Sequence, residues 1–176
     1  MNEPPADGLR AVYPSLRGKR VLITGGGSGI GAGIVEGFVN QGAAVTFFDV
    51  AEEDSKALVR QMSGNNTPAF EQVDLLDIGQ LQATIGRLVE ADGPFDILVN
   101  NAANDDRHGI DQVDEAYWDD RFGVNLKHQF LGLRRFKTIG GLPVDRARHR
   151  RSSFGSAMIR PQAGAGEREC PTPEQR

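Results

Sequence analysis

The stretch 24–31 reads TGGGSGIG and lies between a short apolar run, VLI, and a segment of helical periodicity. A strand that ends in glycines and opens a helix presents free backbone N–H groups. The positive end of the helix dipole adds to their pull on an anion. Glycine lets a phosphate approach the main chain and supplies positive φ where the turn needs it. Gly25, Ser28, Gly29, Ile30 and Gly31 are therefore candidates for holding a phosphate. Ser28 either bonds the phosphate or caps the helix that starts at Gly29. Glycine-rich turns also occur as plain tight turns, so the loop alone says little.

Asp49 adds a second signal. It ends another apolar run, AVTFFDV, eighteen residues after Gly31. Dinucleotide-binding folds carry an acid about twenty residues beyond their glycines, where it accepts hydrogen bonds from the adenosine ribose. The same charge repels a 2′-phosphate, so it favours NAD over NADP. The alternative is a solvated aspartate at a strand end.

Elements must position these groups, and the sequence alternates two periods. Residues 20–24, 44–50, 69–73 and 95–99 read as strands. Segments 29–40, 52–63, 78–91 and 115–133 read as amphipathic helices. Strands alternating with helices predict a parallel sheet covered on both faces. With a glycine-rich first turn, the expected class is α/β, a Rossmann-like doubly wound sheet.

Further segments give the pattern a family resemblance. Asp74 and Leu75 lie in VDLLD, Asn101 lies in LVNNAA, and Asn125 lies in VNL. Together with the TGGGSGIG loop, in this order, they resemble the short-chain dehydrogenase/reductase family. The resemblance implies that Gly25, Ser28, Gly29, Ile30, Gly31, Asp49, Asp74, Leu75 and Asn101 bind NAD. Asp74 and Leu75 would sit beside adenine, Asn101 would brace the sheet, and Asn125 would match a structural and catalytic asparagine. YPSLRGKRVLITGGGSGIGAG, DVAEEDS, NNAANDDRH and AYWDDR are similar to the bacterial sugar dehydrogenases of that family. This narrower likeness runs over about residues 13–130. It implies oxidation of an aldopentose such as D-xylose to a lactone by NAD, in a homo-oligomer. Another alcohol or ketone substrate is the alternative.

The family's proton-abstracting pair, Tyr-x-x-x-Lys, is missing from this sequence. The two tyrosines are Tyr13 and Tyr117, both ahead of Asn125, and the last lysine is Lys137. Asn125 is then vestigial as a catalytic residue. The composition also changes. Residues 1–133 carry 10 Lys and Arg against 20 Asp and Glu, whereas residues 134–176 carry 10 against 4. The expected organisation is an N-terminal extension at 1–17, an NAD-binding half at 18–133 with strands in the order 3-2-1-4, and a disordered tail rich in Arg, Gly and Pro at 134–176. A slipped reading frame near residue 131 would account for that tail; an evolved segment is the other account. The fourth strand, FDILV, is expected to be a bare edge that promotes self-association. Tyr117, followed by Arg121 rather than Lys, and His108, in the loop after LVNNAA, receive no catalytic role. Three outcomes stand open: a family oxidoreductase, a non-catalytic NAD-binding remnant, or a product that misfolds.

The overall charge of −4 gives no reason to expect nucleic acid as a partner. No apolar run is long enough to cross a membrane. The first twenty residues lack the apolar centre of a signal peptide, and Cys170 is the sole cysteine. The expected compartment is the cytoplasm.

Overall fold

Val21, Leu22 and Ile23 are completely buried. A strand covered on both faces must lie inside a sheet with layers on either side. The computed structural model, which describes residues 11–64, 66–140 and 156–159, places this strand in that position. The strands are β1 (Arg20–Thr24), β2 (Ala44–Asp49), β3 (Ala69–Gln72), β4 (Ile97–Asn100) and β5 (Ser156–Ile159). The sheet order is β3-β2-β1-β4-β5. The first four strands are parallel, and Thr24 pairs with Phe48 on one side and Asn100 on the other. The parallel ladders thus bring three strands to an end along one edge. The structure is a Rossmann-like α/β fold with strands in the order 3-2-1-4.

Alternation along the strands divides the core. Val21, Ile23, Val45, Phe47, Ile97 and Val99 form one cluster, packed with α1 (Gly29–Asn40) and α2 (Glu52–Gln61). Leu22, Phe48 and Leu98 form the other, with Leu81, Ile85 and Leu88 of α3 (Ile78–Asp92). Asp77 starts α3 by accepting the Gln80 N–H at 2.9 Å. This is the side-chain cap expected of aspartate at a helix N-terminus.

The last helical region departs from expectation. α4 (Glu115–Phe122) leads into a π turn (Gly123–Lys127) and then into α5 (His128–Gly140). The helix therefore continues past the boundary placed at 133. Phe136 explains why: it is buried in the same cluster as Leu81, Ile85 and Leu88, which fastens α5 to α3. The expectation of a bare β4 edge is also corrected. Ser156–Ile159 pairs antiparallel with β4, Asn100 opposite Ser156 and Ile97 opposite Ile159. An apolar edge strand offers a row of unpaired N–H and C=O groups that a short extended segment satisfies. The rest of the expected tail, 141–155 and 160–176, lies outside the described residues, as does 1–10 of the expected N-terminal extension. Among the described residues no helix is long and apolar enough to cross a membrane.

Phe136→Ala should lower stability by about 3–5 kcal/mol, the usual cost of emptying a buried phenylalanine site. Urea unfolding of the full chain measures this. An effect under about 1 kcal/mol would show that α5 is not fastened through Phe136.

Candidate functional site

Strand order reverses between β1 and β4, because β2 lies on one side of β1 and β4 on the other. Open α/β sheets bind ligands at such a switch point, outside the carboxyl ends of the strands. An open groove of about 1320 Å³ lies there. It is lined by all nine residues singled out for the cofactor: Gly25, Ser28, Gly29, Ile30, Gly31, Asp49, Asp74, Leu75 and Asn101.

The glycine loop is held from both neighbouring strands. Gly25 and Gly26 donate N–H bonds to the Phe48 carbonyl at 2.7 and 3.2 Å. Asn101 Nδ2 donates to the Gly25 carbonyl at 2.8 Å. Gly25 has φ of +68°, and a Cβ there would lie 2.7 Å from the Ala102 Cα. A Cβ on Gly31 would collide with the Gly25 carbonyl oxygen. Both positions thus need glycine for packing. Ser28 is exposed and makes no side-chain cap to α1, so its hydroxyl is not committed to that helix.

Asp49 fastens the loop to β2. Its Oδ2 accepts the Gly27 N–H at 2.8 Å and its Oδ1 accepts the Ala51 N–H at 2.9 Å. Each carboxylate oxygen still has capacity for another donor. Asp74 is similarly built in: its Oδ1 accepts the Leu76 N–H at 2.9 Å, and its own N–H donates to Gln80 at 2.8 Å. Among the described residues the groove lining contains Asp49, Asp74, Asp105, Asp106 and Asp120 and no lysine or arginine.

Asn125 does not line the groove. It lies in the π turn, and its side chain grips the main chain of Asn104 twice. Asn125 Oδ1 accepts the Asn104 N–H at 2.7 Å, and Nδ2 donates to the Asn104 carbonyl at 2.9 Å. Single π turns inside helices often mark functional positions. Here the turn aims an amide at the segment following β4. The next residues are held by α4. Tyr117 donates its hydroxyl to the Asp106 carbonyl at 3.2 Å and lies 2.7 Å from His108 Nδ1, while Arg121 pairs with Asp106 at 3.2 Å. The segment 104–108 is therefore tied to α4 and the π turn while Asn104, Asp105 and Asp106 line the groove, and Tyr117 does not line it.

Sequence reasoning missed Asn104, the side chain of Thr24, and His128. Asn104 immediately follows the NNAA motif, and His128 lies three residues after Asn125. Their partners are 21 and 104 residues away in the chain, so no local pattern marks them. His128 has no solvent exposure. Burial pushes its imidazole below the ordinary histidine range, and the Val124 and Gly123 carbonyls oppose this only in part.

The profile of the short chain dehydrogenases matches residues 19–138. The chain belongs to the short-chain dehydrogenase family. D-xylose 1-dehydrogenase of Caulobacter vibrioides is 51% identical over 122 residues, which are 69% of this chain and 48% of that protein. A probable galactose dehydrogenase of Rhizobium meliloti is 45% identical over 121 residues, 68% of this chain and 47% of its own length. A solved short-chain dehydrogenase/reductase from Serratia marcescens has a TM-score of 0.67 and 29% identity, covering 72% of this chain and 52% of that one. This member of the short-chain dehydrogenase family thus spans about half the length of the curated relatives it matches.

The histidine gives a testable pH dependence. Above about pH 6.5 the imidazole is neutral in both folded and unfolded chains, and stability does not depend on it. Below that value the unfolded chain takes up the proton first, so stability falls as pH falls, by at most about 1.4 kcal/mol per pH unit. Urea melts of the wild type between pH 7.5 and 5.5 should show this slope. His128→Gln, which does not titrate, should flatten it.

Proposed function

We propose that the groove binds NAD and that this stretch of chain is the dinucleotide-binding half of a sugar dehydrogenase. The carrying observation is electrostatic. A pyrophosphate is favoured beside the glycine loop by the amides and dipole at the start of α1. Elsewhere the described residues of the lining offer five aspartates and no cationic side chain. Among them, a 2′-phosphate would meet Asp49 with no lysine or arginine to answer it. Family membership implies a nicotinamide cofactor, and the acidic lining favours NAD over NADP.

In this reading Gly25, Ser28, Gly29, Ile30 and Gly31 hold the pyrophosphate, and Asp49 accepts the adenosine ribose hydroxyls. Asp74 and Leu75 face adenine, and Asn101 keeps the loop against β4. The names of the two bacterial relatives support a sugar substrate, D-xylose first. The chain by itself does not turn over, because the sequence has no Tyr-x-x-x-Lys pair and Asn125 serves Asn104 instead. The compartment proposed is the cytoplasm.

Self-association with a second copy belongs to the same reading. Trp118, Phe122, Leu126 and Phe130 follow one another at four-residue steps and are all exposed. The ends of this stripe differ in charge: Glu115 and Asp119 lie at its start, and Lys127 and Arg134 towards its end. Two copies packed antiparallel bring each acidic end to a basic one. Sedimentation should show a dimer that Phe130→Glu converts to monomer. An unchanged dimer in that variant would remove this face from consideration.

Calorimetry should find NAD bound and NADP about a hundredfold weaker, the consequence of a like-charge contact of several kcal/mol. Asp49→Ser should narrow that difference. With D-xylose and other aldopentoses no NADH should form, beside a full-length relative as positive control. Equal binding of both dinucleotides would end the NAD assignment, and turnover would show that another residue acts as the base.

A further inference from the structure

Three elements meet at the hydroxyl of Thr24, a residue only 2% exposed. Its Oγ1 accepts the N–H groups of Asn101 and Ala102, both at 3.2 Å. A hydroxyl oxygen has two lone pairs and one proton. The two amides use the lone pairs, so the proton must be donated. Among the described residues the acceptor it faces is His128 Nε2, at 3.5 Å. An accepting Nε2 puts the proton of the neutral ring on Nδ1. That nitrogen is buried and makes no hydrogen bond of full geometry.

We propose that His128 is a positioning residue for the groove: through Thr24 it holds the Asn101–Ala102 backbone, and it does so only as the neutral ring. Asn101 and Ala102 both line the groove, and Asn101 also holds the Gly25 carbonyl. A proton on Nε2 aims a third donor at an oxygen whose lone pairs are already used. Thr24 must then release one of the two amides, and the wall of the groove loosens. The groups around the ring do not offset this. β1 brings Thr24, the end of β4 brings uncharged amides, and α3 contributes Leu81 and Ile85 to the core beneath α5. Among the described residues no ionised side chain acts on the ring; burial and the two carbonyls of the preceding turn do. The consequence for ligand binding rests on the reading of the groove as a dinucleotide site; the consequence for the two amides does not.

The experiment combines amide hydrogen exchange at Asn101 and Ala102 with NAD calorimetry on the full chain. His128→Phe should speed exchange at both amides and weaken NAD about tenfold, the effect of one buried hydrogen bond. In His128→Gln a side-chain amide oxygen takes the place of Nε2 and does not titrate. That variant should restore both measurements near pH 7.5. Wild-type affinity should fall on going to pH 5.5, whereas that of His128→Gln should hold. Thr24→Val should weaken NAD, and adding His128→Phe to it should cost nothing further. Unchanged exchange and affinity in His128→Phe, or equal damage in the Gln and Phe variants, would overturn the proposal. If His128→Phe does not fold, the pH series on wild type and His128→Gln decides: parallel exchange at the two amides, after correction for intrinsic rates, overturns it. A wild type that binds no NAD ends the dinucleotide reading alone, and the exchange rates still decide the role of His128.

Discussion

The carbonyl oxygen of Gly25 is the point on which the groove depends. Asn101 donates to it from the β4 side, and Gly31 lies so close that no Cβ fits. One oxygen therefore joins the end of β1, the start of α1 and the segment after β4. The parallel ladders supply the rest of the alignment. Because β1 pairs in register with both β2 and β4, Thr24, Phe48 and Asn100 stop at one edge. The helix N-terminus then points into the space where strand order reverses. A side chain at position 31 would push α1 away from the strand and take the amide dipoles with it.

Around this point the site is built from backbone rather than from cations. Asp49 is engaged by the Gly27 and Ala51 amides, and Asp74 by the Leu76 amide. These bonds hold each carboxylate at the groove wall and leave oxygen capacity directed outward. Hydroxyl donors suit such a surface, and anions do not. Among the described residues, the start of α1 is the region that attracts negative charge. The NAD assignment proposed above rests on this distribution, with phosphates at one place and neutral hydroxyls and amines elsewhere.

What could be read from the sequence was local. The strands and helices through α3 follow from periodicity within about fifteen residues. The glycine loop and Asp49 follow from spacing to those elements, and Asp74 and Asn101 from the resemblance to the family. Three features escaped because their causes lie far along the chain or have no compositional mark. The Arg-rich segment after Leu133 hides a helix that a single phenylalanine, Phe136, fastens to α3. The π turn at Gly123–Lys127 has no sequence signature, and its effect is seen only in the grip of Asn125 on Asn104. Pairing of β5 with β4 joins residues 56 or more apart, beyond the reach of any local pattern.

The direction of β5 bears on what the groove can do. Being antiparallel to β4, it begins at the groove edge, with Ser156 opposite Asn100, and ends at the far edge, with Ile159 opposite Ile97. A parallel strand in the same place would deliver the chain that follows it to the carboxyl edge, where ligands of this architecture react. β5 runs in the opposite direction, from the groove edge to the far edge. The sequence beyond Lys137 contains neither tyrosine nor lysine. The composition thus supports the reading proposed above: a groove for a dinucleotide in a sequence that lacks the Tyr-x-x-x-Lys pair of its family.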